Sequence, residues 1–203
     1  MKHEYLETSV WFKDKITDPY QIIAAFFDAA DIAHHRKIIR NILQVACSDR
    51  CWEKQEPGQL LYEFSMLESV VNAAWLLDQE KKKDPLFINP EDVFNPNLFV
   101  GWHGKLTKWD FLPRSLSYKE FANPYRVFKR FFRFQDITNW KEQLQLLMDY
   151  SLRSMNLLEL EDIRPLSLYF QLTKLVEAAH LIDVREVNHV GGHVKNRISK
   201  RRL

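Results

Sequence analysis

Length, composition and charge set the first limits on what this chain does. It has 203 residues, of which 46% are hydrophobic and 13% aromatic, a composition that favours one folded domain over a disordered chain. The 29 basic and 27 acidic residues give a formal net charge of +2, too small by itself to indicate a nucleic-acid or membrane partner. No apolar run reaches the ~18–20 residues that span a bilayer, and Met1-Lys2-His3-Glu4 lacks the apolar stretch of a secretory signal. We therefore expect a cytoplasmic protein without a transmembrane segment.

The N-terminal half carries two helix signals. Asp18-Pro19 has the pattern of an N-cap followed by proline at the first helical position, and apolar residues recur at helical spacing after it. We expect one long first helix that ends at about Cys47. A second helix follows Pro57-Gly58 and ends near Lys81. Its apolar stripe consists of Leu60, Phe64, Leu67, Val71, Ala74 and Trp75.

The middle of the chain, from residue 84 to 116, has no helical periodicity. Prolines, asparagines and glycines cluster there among many aromatic residues. Such a long irregular stretch inside a domain is typical of a functional loop or of a packed cap, and its aromatic residues argue against a solvated linker. The sequence leaves both interpretations open.

Three more helices are predicted in the second half. Asn123-Pro124 opens a short third helix, and Asn139 with Glu142 has the capping-box spacing of a fourth. Pro165 begins a fifth helix that ends near Ile182. The inward stripe of the fourth helix is Trp140, Leu144, Leu147, Met148, Ser151 and Met155.

These patterns predict an all-α fold. We expect a single-domain helical bundle of about five helices over residues 1–188, with the long aromatic-rich loop as its main irregular part, followed by a basic C-terminal tail over 189–203. The only short strand candidate is Thr8–Phe12. Helical bundles serve many functions, so the fold class selects none of them.

The third helix is the strongest candidate for binding. Its basic residues recur at i, i+3, i+4 and i+7, which places them on one side, while the aromatic residues lie on the other. Together with basic residues of the tail, this side is suited to contact phosphates of nucleic acid or of a lipid surface. The alternative is an ordinary amphipathic helix whose basic side is merely solvated. The candidate binding residues are Arg126, Lys129, Arg130 and Arg133 with Lys200, Arg201 and Arg202.

A second set of residues suggests a metal site. Asp31 and His34, and likewise Glu177 and His180, are three residues apart, so each pair would share one helix face as in di-metal carboxylate bundles. The full set is Asp31, His34, Glu68, Glu177 and His180, and the expected metal is iron, manganese or zinc. The alternative is a set of hydrogen-bonded polar residues inside the bundle. Asp31 and His35, four residues apart, are expected to form an exposed pair.

No recognised catalytic motif decides between these hypotheses. The chain lacks HExxH, GxSxG, a phosphate-binding GxxxxGK[ST] loop and the protein-kinase motifs, so catalytic residues are not identified. The first hypothesis is a non-catalytic helical protein without a cofactor that binds a protein or a nucleic acid. The second is a metal-dependent enzyme with its carboxylate and histidine site inside the bundle.

Overall fold

A computed structural model describes residues 16–53, 56–80, 86–101, 106–160 and 163–187, together with the backbone of 189–190 and 193–194. In these parts the chain is built from α-helices of very different lengths, which confirms the all-α prediction. The helices are α1 Pro19–Ala29, α2 Ile32–Ala46, α3 Pro57–Gln79, α4 Lys108–Phe111, α5 Tyr118–Ala122, α6 Tyr125–Phe134, α7 Ile137–Leu152 and α8 Pro165–Glu186. Three single-turn 3-10 helices lie at Pro90–Asp92, Pro96–Leu98 and Leu157–Glu159.

The predicted long first helix is wrong, because the chain breaks it in two. Ala30 is extended, with φ −160° and ψ 160°, and Asp31 begins α2 as its N-cap. The Asp31 side chain accepts a hydrogen bond from the backbone N–H of His34 at 2.7 Å. Aspartate at an N-cap satisfies one of the amide groups that the first turn leaves without a partner. The three-residue separation of Asp31 and His34, which suggested a pair of metal ligands, is thus that of an N-cap residue and the residue whose N–H it accepts.

Helix α7 also begins earlier than predicted. Its N-cap is Asp136, whose carboxylate accepts from the backbone N–H of Asn139 at 2.8 Å. Asn139 therefore lies in the first turn of the helix. The predicted inward stripe is largely correct, since Trp140, Leu144, Leu147 and Ser151 are buried.

Helix α8 is the centre of the bundle. Helices α1, α2, α3 and α6 all pack against it, and α7 packs against α2 and α3 on the outside. Every residue of α8 from Leu175 to Val184 is buried, including Glu177 and His180. A helix that is buried on all sides belongs to the core of a domain, and this one fixes the positions of the others.

The described residues between 86 and 122 include a part that packs against the bundle and exposed aromatic side chains such as Phe87, Phe94 and Trp109. Leu98, Phe99 and Phe111 are buried, and the carbonyls of Leu98 and Phe99 accept hydrogen bonds from Arg185 and His180 of α8. Arg185 donates from Nε to the Leu98 carbonyl at 2.8 Å, and its guanidinium lies 4.5 Å above the Phe121 ring. Because burial removes water from this guanidinium, the pKa of Arg185 falls to about 10.

The C-terminal end adds a short hairpin after α8. Strands β1 His189–Val190 and β2 His193–Val194 pair antiparallel within the region predicted as a basic tail. The tail residues Lys200, Arg201 and Arg202 and the strand candidate Thr8–Phe12 lie outside the described residues. A search of the described helices for a segment both long and apolar enough to cross a bilayer finds none.

Candidate functional site

Helix α6 presents the predicted basic side to solvent. Arg126, Lys129, Arg130 and Arg133 are all exposed. On the opposite side, Val127, Phe128 and Phe131 are buried, and the Phe131 ring stacks on Trp140 with 3.9 Å between centroids. The Trp140 indole N–H also donates to the Phe131 carbonyl at 3.1 Å. The aromatic side therefore anchors α6 to the bundle and fixes the direction in which its cations point. We call the side formed by these four cations the cationic face of α6.

The cationic face forms one wall of a surface groove of about 580 Å³. The opposite wall is the end of α3, from Leu77 to Glu80, and we call this space the α6 groove. Burial raises the pKa of the Asp78 carboxyl, while the positive charges of Lys129 and Arg133 act in the opposite direction. The groove thus has four cationic side chains on one wall and two acidic ones, Asp78 and Glu80, on the other.

Three of the four α6 cations have no strong partner. Among the described residues, Arg126, Lys129 and Arg133 form no salt bridge. Arg130 differs, because its Nη1 donates to Glu120 Oε1 at 2.6 Å. Lys129 and Arg133 interact with Asp78 across the groove only through longer-range charge attraction, so the three side chains remain accessible to a ligand.

Glu120 connects the α6 groove to a second basic region. Glu120 is the N3 residue of α5. Its Oε2 accepts hydrogen bonds from the backbone N–H and from the hydroxyl of Ser117, each at 2.8 Å. Lys174 of α8 also donates to it, at 3.0 Å. Burial alone would raise the pKa of Glu120, but the hydrogen bonds from Ser117 and Lys174 outweigh it and hold the pKa at about 2. The carboxylate is therefore ionised and joins cations of α6 and α8.

Beyond Lys174 lies a pocket of about 720 Å³ between α2, α8 and the residues after α4. We call it the α2–α8 pocket. Five of its side chains are cationic and two are acidic. The residues that line it are Ala33, Arg36, Lys37, Arg40, Asp110, Arg114, Ser115, Tyr169, Phe170, Thr173, Lys174 and Glu177.

The floor of this pocket is a buried ion pair. Arg36 Nη2 lies 2.7 Å from Glu177 Oε1, and the Glu177 side chain is fully buried. The same carboxylate accepts from the backbone N–H groups of Arg114 and Ser115, at 2.9 and 2.8 Å. Arg36 in turn donates to the carbonyls of Asp110 and Leu112. Burial lowers the pKa of Arg36, and the charge of Glu177 opposes that shift. Both groups are committed to holding the 110–115 segment against the bundle.

The structure does not bring the five predicted metal ligands together. Glu177 is saturated by the donors just described, and His180 Nε2 bonds to the Phe99 carbonyl at 2.8 Å. Asp31 is the N-cap residue of α2, and Glu68 Oε1 lies 3.9 Å from Lys141 Nζ. No group of three or more histidine, cysteine or acidic side chains among the described residues is arranged to hold a metal ion. Four of the five residues make separate hydrogen bonds, and Glu68 is part of an ion pair.

The two neighbouring histidines of α2 occupy opposite environments. His34 Nε2 lies 3.0 Å from Glu63 Oε1, and that hydrogen bond raises the pKa of His34 despite partial burial. His35 is buried, stacks on Phe26 with 3.7 Å between centroids, and hydrogen-bonds the Phe26 carbonyl. Burial lowers the pKa of His35 to about 4. The expected exposed pair of Asp31 and His35 is therefore wrong, since the break before α2 turns His35 into the core.

Sequence reasoning missed the α2–α8 pocket. Arg36, Lys37 and Arg40 form a basic cluster within five residues of the sequence, which is a local signal for this pocket. Lys174 and Arg114 join them only through tertiary packing, and no local pattern reveals that meeting.

Comparison with protein-family models, with curated proteins and with solved structures gave no match for this chain. Its function is therefore inferred from the arrangement of its own residues.

Proposed function

We propose that this chain is a non-catalytic helical protein that binds nucleic acid through the cationic face of α6. The observation that carries the proposal is a row of exposed cations, three of them without a salt bridge in the described structure, along a helix whose other side is locked into the core. Phosphates dominate the affinity of proteins for nucleic acids, and arginine and lysine are the residues that contact them.

The spacing of the cations fits a repeating anion. Arg126 and Arg133 are seven residues apart, which corresponds to about 10 Å along a helix axis. This length exceeds that of a single phosphate group, so the cationic face is suited to contact more than one phosphate of a strand. A small anion would need convergent cations rather than a row of them.

The acidic wall of the groove limits where a strand lies. Asp78 and Glu80 oppose phosphates, so the backbone is expected to follow the α6 side of the groove and to leave the α3 side free. Lys174 extends the basic surface past Glu120 toward α8, which lengthens the path that a strand can follow.

The test is the affinity of the protein for nucleic acid before and after removal of the free cations. Labelled single-stranded and double-stranded DNA and RNA are titrated with the R126A/K129A/R133A variant at low salt, with fluorescence anisotropy as the readout. Arg130 is kept because its pair with Glu120 belongs to the fold. We expect the affinity to fall by about tenfold or more, because phosphate contacts are lost without a change in the core.

A matched control has the same change in net charge. The R50A/K119A/R153A variant removes two arginines and one lysine that are exposed and line neither the α6 groove nor the α2–α8 pocket. It is expected to keep most of the affinity. Absence of binding by the unmodified protein to all four nucleic acids, or an equal loss in both variants, would overturn the proposal.

A further inference from the structure

The α2–α8 pocket combines aromatic and cationic side chains on the same walls. Tyr169 and Phe170 of α8 line it, with 5.6 Å between their ring centroids. The Phe170 side chain is apolar, yet the residue is 49% exposed. An exposed ring at the edge of a pocket offers a flat apolar surface to a planar group, such as a nucleobase.

Four cations of the pocket remain accessible. Lys37 and Arg40 are exposed on one side of α2 and form no salt bridge with a described residue. The Arg114 side chain is 64% exposed, and its closest carboxylate oxygen, on Asp110, is 3.9 Å away. Lys174 retains 29% exposure beside Glu120. Arg36, in contrast, donates hydrogen bonds to Glu177 and to the carbonyls of Asp110 and Leu112, so it stabilises the pocket wall.

The wall also contains a hydroxyl without a protein partner. Thr173 is only 6% exposed, and its Oγ1 makes no hydrogen bond within the described structure. The hydroxyl oxygen is itself shielded from solvent, so Thr173 forms part of the pocket wall and is not counted as a ligand contact. It lies on α8 between the aromatic pair and Lys174.

We propose that the α2–α8 pocket binds one nucleotide, with the base against Phe170 and the phosphate between Lys37, Arg40 and Lys174. The volume of about 720 Å³ lies within the usual range of ligand pockets, ~300–1,000 Å³. Lysine and arginine recognise the phosphate, and stacking on the ring adds affinity for any base. The nucleotide is either free in solution or the end of a strand that also contacts α6.

The experiment measures binding of 5′-mononucleotides to the full chain by isothermal titration calorimetry, and saturation-transfer difference NMR on the same complexes shows which ligand protons contact the protein. Adenosine and inorganic phosphate, each carrying half of the ligand chemistry, are titrated alongside. We expect saturable binding of the mononucleotides, weaker binding of adenosine and of phosphate, and the strongest saturation transfer at the base protons.

Two sets of variants separate the parts of the pocket. K37A/R40A removes exposed cations without touching a described salt bridge, and it is expected to weaken mononucleotide binding by about tenfold or more. F170L keeps an apolar side chain but removes the flat ring, and it is expected to weaken binding by about fivefold while leaving phosphate binding unchanged. Phe170 and both cations are exposed, so these variants are expected to fold.

The outcomes also separate this inference from the α6 proposal. The R126A/K129A/R133A variant is expected to bind mononucleotides as the unmodified protein does. If K37A/R40A also weakens binding of a 5′-phosphorylated oligonucleotide, the pocket takes the end of a strand; if it does not, the ligand is a free nucleotide. Failure of the mononucleotides to bind, equal affinity for inorganic phosphate, or binding unaffected by K37A/R40A would overturn the inference, whatever α6 does.

Discussion

Arg36 and the cations of α6 carry the same charge but have opposite roles. Arg36 is 11% exposed, pairs with the fully buried Glu177, and donates to two carbonyls of the 110–115 segment. Arg126, Lys129 and Arg133 are exposed and form no salt bridge with a described residue. The first cation holds the fold together, whereas the other three are not required for it.

In a nearly neutral protein, basic residues that stabilise the fold have to be distinguished from those that are accessible to a ligand. A net charge of +2 says little, because five lysine and arginine side chains pair with carboxylates among the described residues while others, such as Arg126, Lys129 and Arg133 of α6, do not. Binding is indicated where several cations without a salt bridge to a described residue line the same groove or pocket. By that criterion α6 and the exposed part of the α2–α8 pocket stand out.

The strongest test of this comparison replaces one arginine in each region with methionine. R36M leaves the buried Glu177 without its counter-ion, so we expect the free energy of unfolding to fall by about 3–5 kcal/mol. R133M is expected to change it by no more than about 0.5 kcal/mol, because an exposed residue without a salt bridge is replaced. Urea unfolding followed by circular dichroism measures both. Similar small changes in the two variants would contradict the structural role of Arg36.

Glu120 lies between the two regions and sharpens the comparison. It neutralises Arg130 from α6 and Lys174 from α8. E120Q removes the negative charge that holds both cations, so we expect a loss of about 1–3 kcal/mol in the free energy of unfolding at neutral pH. The same change frees two cations for phosphates, so nucleic-acid affinity is expected to rise. A fall in affinity, in a variant that remains folded, would contradict the assigned role.

The pH dependence of the same variant has a defined sign. The folded pKa of Glu120 is about 2, below the ordinary value of 4.5. A depressed carboxyl pKa contributes stability above the unfolded pKa and loses it as the pH falls toward the folded one. The difference in stability between the unmodified protein and E120Q should therefore shrink as the pH falls from about 5 to 3. A difference that stays constant over this range would show that the charge of Glu120 is not its source.

The sequence predicted a helix well where the helix has both a clear start signal and a periodic stripe of apolar residues. Pro57 and Pro165 begin α3 and α8 as expected, and the two sides of α6 were correctly separated by their spacing. The break before α2 was missed because apolar periodicity continues across it, and the cap function of Asp31 depends on a backbone turn. Short helices such as α4 and α5 have too few residues for a periodic pattern.

The candidate site also has a part that the sequence predicts and a part that depends on tertiary packing. The cationic face of α6 follows from one helix and could be predicted from spacing. The carboxylates Asp78 and Glu120 that face it come from other helices, and the α2–α8 pocket forms from three separate segments. The metal hypothesis failed to gain support for a related reason, because Glu177 and His180 share α8 yet bond to different backbone segments. Shared spacing on a helix does not specify what lies opposite.

The most direct test of the central claim is the salt dependence of nucleic-acid binding. The logarithm of the binding constant for single-stranded DNA is plotted against the logarithm of the salt concentration for the unmodified protein, R126A/K129A/R133A and R50A/K119A/R153A. The slope is negative, and each lost phosphate contact reduces its magnitude by about 0.7. We therefore expect the magnitude to fall by about 2 in the α6 variant and to stay unchanged in the control variant. An α6 variant with the slope of the unmodified protein would show that these cations do not contact phosphates.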